Sequence, residues 1–223
     1  MVRSAWLVIR KDLRAELRRP QAMIAMLFFG FLLLVILDVA VPAGTEITPE
    51  TGAGILWVAI TFSSVLGLGR SFDREKENHC LEGLLLSPLS PEGLFGAKMA
   101  VNCIFMGLAE LAILPLFFIL YGDAFLRSLP ALALVLLLAN SGFAATGTLF
   151  AAITAGADRN EALLPMLFFP LVMPLIAMAV RATGMIFAGA PLPEYSSWLQ
   201  VMAAFTLIFT GLGFLVSRHI FRD

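Results

Sequence analysis

The chain is 223 residues long, 60% of them apolar and only 14% charged, with 15 Lys and Arg against 16 Asp and Glu. An average globular domain is about 45–50% apolar and about 25% charged, so this chain has more apolar side chains than a water-facing surface can hide, and an ordinary soluble domain is excluded. A formal net charge of −1 argues against nucleic acid as the main partner, and two cysteines, Cys80 and Cys103, exclude a disulfide framework. The apolar excess must face lipid. At about 20 residues per helical span there is room for several crossings and little for a separate soluble domain, so 1–223 reads as one transmembrane domain.

The first 19 residues place Val2, Ala5, Trp6, Ile9, Leu13 and Leu17 at three- or four-residue spacing, one face of a helix. Arg3, Arg10, Arg14 and Arg18 take another face, which predicts an amphipathic helix lying in the membrane interface. Each basic residue beside an anionic leaflet contributes on the order of 1 kcal/mol, offset in part by Asp12 and Glu16. Span one is expected at about 21–41. Val41-Pro42-Ala43 loosely resembles a cleavage site, but the charged leader and full-length apolar core fit a retained helix. Span two follows at 53–69, across a connection that carries Glu46 and Glu50 and no base.

Residues 70–98 are not a span. Asp73, Glu75, Glu77, Glu82 and Glu92 are interspersed with Arg70, Arg74, Lys76 and Lys98, and mixed charges at helical spacing predict a water-exposed helix. Pro88 ends it, and Ser90-Pro91-Glu92 reads as the N-cap, first residue and first-turn acid of a helix feeding span three. Leu84, Leu85 and Leu86 are left as an apolar knob beside these charges, to be covered by a partner surface or by the ends of the bundle.

Spans three to six are expected at about 99–121, 129–154, 162–180 and 198–217. Glu110 lies near the middle of span three, where a charge costs roughly 3 kcal/mol on insertion scales, so it should face the bundle or a dimer interface, or line a path. Asn102, two turns earlier on roughly the same face, is expected to share its network; a purely structural hydrogen bond is the other reading. In span four, Gly142, Thr146, Ala152 and Gly156 permit close helix packing. Pro165, Pro170 and Pro174 should kink span five. Asp38 and Arg181 sit near span ends and can snorkel to the interface.

Alternating the six spans puts thirteen Lys and Arg on one side and only Arg127 and Arg181 on the other, so both termini and the 70–98 loop are expected in the cytoplasm. Haem-type ligands are scarce. His79 and His219 lie outside the spans, and Met166, Met173, Met178 and Met185 have the mixed spacing of core fillers. No phosphate loop occurs, because Gly93-Leu94-Phe95-Gly96-Ala97-Lys98 has the wrong spacing. The chain is therefore expected to be neither an ATPase nor another enzyme, and to hold no cofactor; an intramembrane enzyme built on Glu110 would lack a second catalytic group at span depth.

Six spans, an interfacial N-terminal helix and a charged loop with a leucine knob match a permease driven by a separate ATPase that grips the loop. The run Leu66-Gly67-Leu68-Gly69-Arg70-Ser71-Phe72, with Arg74-Glu75, Leu81-Glu82-Gly83-Leu84-Leu85-Leu86-Ser87-Pro88 and Gly96-Ala97-Lys98, resembles the cytochrome c maturation protein B family, also called haem exporter protein B or CcmB. The resemblance extends along the whole chain, including Leu164-Pro165, Pro170-Leu171 and Pro174-Leu175. More loosely, the pattern is that of ABC-2-type permeases.

The resemblance implies an all-α integral membrane protein with six transmembrane helices, an N-terminal interfacial amphipathic helix and a cytoplasmic coupling helix between spans two and three. It assigns contact with the ATPase partner to Arg74, Glu75, Glu82, Leu84, Leu85, Leu86 and Pro88, and makes the apolar stretch 184–190 re-entrant or interfacial, with a plain hydrophobic loop as the alternative. The implied setting is the bacterial inner membrane, with two copies of the chain and the ATP-binding subunit, cytochrome c maturation protein A. The haem-handling protein C, the single-span protein D and the haem chaperone, protein E, complete the set. ATP would bind the partner, and haem would be cargo. The implied function is haem export or delivery to the periplasm, or ATP-driven release of the haem-loaded chaperone. A permease for another hydrophobic cargo and a non-transporting scaffold are the alternatives.

Overall fold

A computed structural model describes residues 2–42, 44–71, 90–122, 128–155 and 163–220. These form helices α1 (Val2–Arg18), α2 (Gln21–Ala40), α3 (Pro49–Gly69), α4 (Pro91–Tyr121), α5 (Leu129–Ala155), α6 (Leu163–Phe187) and α7 (Leu192–Ile220), with no strand among the described residues. Helices α2 to α7 are each long and apolar enough to cross a bilayer. The all-helical, six-span architecture expected from the sequence is the one the chain adopts, and it is the architecture in which each span satisfies its own backbone hydrogen bonds.

Local chemistry sets the helix ends. Thr48 accepts the Thr51 N–H at 3.3 Å ahead of Pro49, and Ser90 accepts the Gly93 N–H at 3.1 Å ahead of Pro91. The cap at Ser90 starts α4 well before its apolar stretch, so this helix runs for 31 residues and takes Lys98 with it. Helix α6 likewise passes through Arg181 and Thr183 to Phe187. Its stop is Gly189, at φ +79°, with the Gly189 N–H bonded to the Ile186 carbonyl at 3.0 Å and the Ala190 N–H to that of Met185 at 2.9 Å. The stretch expected to be re-entrant is thus the last turn of α6 and its cap. Nothing between Pro174 and Gly189 breaks a helix, and Arg181 rides exposed on its surface.

Helices α3 and α5 form the centre. Helix α3 packs on α2, α4, α5 and α6, while α5 packs on α4, α6 and α7. Trp57 meets the edge of Phe143 at a 6.4 Å centroid distance, and Phe143 meets Phe168 at 5.8 Å, joining α3, α5 and α6 through aromatic rings. Lipid gives these helices no hydrophobic reason to associate, so close fit supplies the attraction. A Cβ on Gly147 would lie 2.4 Å from a Leu68 methyl, and one on Gly142 would lie 2.6 Å from a Leu175 methyl. At the periphery, Phe28 and Ile36 of α2 and Leu207 and Leu215 of α7 are exposed, as lipid-facing side chains should be.

Helix α1 forms as predicted but packs with a different face. Val8, Asp12 and Glu16 turn inward against α4, while Trp6, Leu7 and Leu17 stay exposed beside Arg10, Arg14 and Arg18. The reason is electrostatic: α4 offers a buried lysine to Asp12, and the start of α2 offers two backbone N–H groups to Glu16.

Candidate functional site

Two groups of polar residues stand out. One surrounds the stems of the loop between α3 and α4; the other lies inside the spans.

Arg74, Glu75, Glu82, Leu84, Leu85, Leu86 and Pro88 fall outside the described residues, as do His79 and Cys80, but both stems of their loop are described. The outgoing stem follows α3 through Arg70 to Ser71, whose N–H bonds to the Leu68 carbonyl at 3.1 Å. The returning stem begins at the Ser90 cap. Two turns into α4, Lys98 reaches back across the gap: its Nζ donates to the Ser71 carbonyl at 2.8 Å and stands 3.0 Å from Asp12 Oδ2 on α1. The approach to Oδ2 is an ion pair without the direction of a hydrogen bond. Lys98 is 2% exposed and Asp12 5%, a degree of burial that lysine reaches almost only when paired.

The framework spreads from there. Lys11 Nζ lies 3.1 Å from Asp12 Oδ1. One turn along α1, Glu16 Oε1 accepts the N–H groups of Ala22 and Met23, each at 3.0 Å, so an α1 carboxylate caps the start of α2 where the helix dipole favours an anion. Arg218 of α7 pairs with Glu92 in the first turn of α4. Sequence reasoning treated Lys98 as a loop charge and Asp12 and Glu16 as offsets. A signal was present in the i, i+4 step from Val8 to Asp12 to Glu16, one helical face that mixes an aliphatic residue with two acids.

Inside the spans, Asn102 and Glu110 are 4% and 6% exposed and both turn from α4 towards α5, but they do not share a network. Asn102 Nδ2 donates to Thr148 Oγ1 at 2.8 Å. Glu110 Oε2 accepts from Asn140 Nδ2 at 3.4 Å, and the same amide donates to the Cys103 carbonyl at 3.2 Å. Eight residues forward along α4 are matched by eight back along α5, the register of antiparallel neighbours. Glu110 Oε1 and Asn140 Oδ1 have no hydrogen-bond partner among the described residues, which leaves two buried acceptors side by side in this layer. Asn140 was missed, although an amide within Leu138-Ala139-Asn140-Ser141 is a visible polar residue at span depth.

The other candidates disperse. Met166 and Met173 point outward while Met178 is buried. Asp38 is half-buried and Arg181 exposed at the end of the bundle away from α1. Among the described residues no three His, Cys, Asp or Glu gather as a metal site would require.

The family model for CcmB protein matches residues 3–220, from the first turn of α1 to the last of α7. A Heme exporter protein B from Pseudomonas aeruginosa is 29% identical over 204 residues, covering 92% of this chain and 91% of the relative. The protein of the same name from Paracoccus denitrificans is 32% identical over 188 residues, covering 80% and 83%. That from Rhodobacter capsulatus is 30% identical over 174 residues, covering 76% and 77%. With the match spanning all six membrane helices and the Asp12–Lys98 junction, the chain belongs to the CcmB family.

Proposed function

We propose that the chain is the permease subunit of an ABC-type complex for cytochrome c biogenesis, serving haem export or delivery across the bacterial inner membrane, or the ATP-driven release of a haem-loaded chaperone. The observation that carries this reading is the family match along residues 3–220 of a six-span chain, and the relatives' name, Heme exporter protein B, supports haem as cargo. A separate subunit, cytochrome c maturation protein A, binds and hydrolyses ATP. Two copies of this chain, with proteins C, D and E, complete the assembly.

In this reading the loop between α3 and α4 lies in the cytoplasm with both termini, on the side that holds most Lys and Arg. Arg74, Glu75, Glu82, Leu84, Leu85, Leu86 and Pro88 meet the ATPase, and closure of the ATPase pair pushes the loop and tilts α3 and α4. Asn102 and Glu110, bridging α4 to Thr148 and Asn140 of α5, hold that helix pair in register as α4 moves.

Replacing Leu84, Leu85 and Leu86 with Asp should leave membrane insertion intact, remove the ATPase from pull-downs and abolish cytochrome c production. Unchanged co-purification together with unchanged production would refute the coupling role. Purification from native membranes, followed by haem absorbance and an ATPase assay, tests the partners and the cargo together.

A further inference from the structure

Helix α1 is separated along the chain from the loop between α3 and α4 by two spans, yet the two are joined through one side chain. Lys98 Nζ donates to the Ser71 carbonyl on the outgoing stem at 2.8 Å and lies 3.0 Å from Asp12 Oδ2 on α1. We propose that Lys98 is a positioning residue, the pivot through which displacement of the loop reaches α1 and, through α1, the first span α2. The inference rests on the coupling reading above.

Three observations carry it. First, Lys98 and Asp12 are both almost wholly buried. A site that needed only packing would be served as well or better by apolar side chains, because removing two charges from water is expensive. What the ammonium adds is selectivity: it holds a carboxylate on α1 and a carbonyl on the outgoing stem, two elements that are separate in the chain. Second, the Ser71 carbonyl lies just past the end of α3, where helix dipoles leave negative charge and a cation is favoured, so the outgoing stem is held at its most polar point. Third, Asp12 and Glu16 are one turn apart on the same face of α1. A helical turn is a stiff 5.4 Å unit, so any shift imposed on Asp12 moves Glu16 too. Glu16 holds the Ala22 and Met23 N–H groups, and α2 turns Ile24, Phe28 and Leu32 outward, where fluid surroundings do not resist its movement. A push on the loop therefore has a continuous polar route, Ser71 to Lys98 to Asp12 to Glu16 to the start of α2.

The test uses the assembled complex. In the double variant Lys98→Met with Asp12→Leu the pair is replaced by apolar side chains, which restores packing without the ion pair and without the bond to the Ser71 carbonyl. The ATPase partner should still co-purify, while ATP hydrolysed per cytochrome c matured rises about tenfold, the scale of a coupling between two sites. Lys98→Arg, which keeps a cation and its donors, should restore most of the yield. Parental yield from the apolar pair would overturn the proposal, since a merely structural pair is replaceable in this way. If the apolar pair does not assemble, Asp12→Asn decides: it keeps the size of the α1 side chain and leaves the Lys98 bond to the Ser71 carbonyl, but removes the ion pair. Assembled and uncoupled supports the pivot; assembled and fully active overturns it, as does failure of both variants to assemble, which would make the junction structural. The coupling reading fails separately, when the Asp variants of Leu84, Leu85 and Leu86 keep both their partner and their yield.

Discussion

Trp57 donates its indole N–H to Thr183 Oγ1 at 2.8 Å where α3, α5 and α6 meet, and both residues are at most 1% exposed. Trp57→Phe keeps an aromatic ring against Phe143 but leaves the hydroxyl without that donor, and should cost about 1 kcal/mol in unfolding from mixed micelles. Asn140→Leu should cost more, about 2 kcal/mol, because it strips the amide from Glu110 Oε2 and from the Cys103 carbonyl together and leaves both acceptors buried. Titrated unfolding of the two variants in one detergent mixture checks the order; equal losses would contradict it. Glu110 and Asn102 were legible as buried groups because residue type and depth in a span suffice for that. Their partners were not legible. Which residue of α5 lies opposite Glu110 depends on the register of two helices, and no local pattern encodes it. The part Lys98 plays was not legible for the same reason, since its partner Asp12 lies on a helix far away in the chain.

Helix ends depend on their neighbours in sequence, and there the reading fared differently from one helix to another. Ser90, Pro91 and Glu92 are local signals, and α4 starts where they put it. Ser90→Ala removes the cap and should cost about 1 kcal/mol. Hydrogen exchange should speed up at the Gly93 and Leu94 amides and stay unchanged at Phe117; uniform acceleration would mean that the cap holds more than its own turn. The end of α6 was misjudged because a charged Arg181 looked like a boundary, whereas a long cation can sit on a helix surface and extend to water. The real stop is the left-handed Gly189, and Gly189→Ala should cost about 1 kcal/mol by forcing a side chain into that conformation. Thermal unfolding of the purified chain followed by circular dichroism would register the change without loss of insertion.

At the scale of the molecule, hydropathy was enough to reveal six spans, because a transmembrane helix is a self-contained hydrogen-bonding unit and needs no neighbour to declare itself. The arrangement of those spans, with α3 and α5 central and α2 and α7 outermost, required packing information that composition does not hold. An even number of crossings puts the start of α2 and the end of α7 on one side. Impermeant thiol reagent applied from one side of the membrane should label either Leu192→Cys, which is exposed at the start of α7, or Leu17→Cys on α1, and never both. Labelling of both from the same side would overturn the six-crossing topology.

The Asp12–Lys98 contact also bears on how the chain is born. Ribosomes add roughly 5–20 residues per second, so on the order of ten seconds separate the synthesis of the acid from that of its cation. During that interval the nascent helix has its Glu16 contact with the start of α2 but not its main packing surface, which is α4. Its exposed Trp6 and arginines suit it to rest on the lipid surface until α4 is made, the expectation for an amphipathic helix that still lacks its partner. The amphipathic pattern would then guide assembly as well as shape the finished molecule, and a chain shorn of this leader would keep the Lys98 bond to the Ser71 carbonyl but lose the carboxylate of Asp12 beside it.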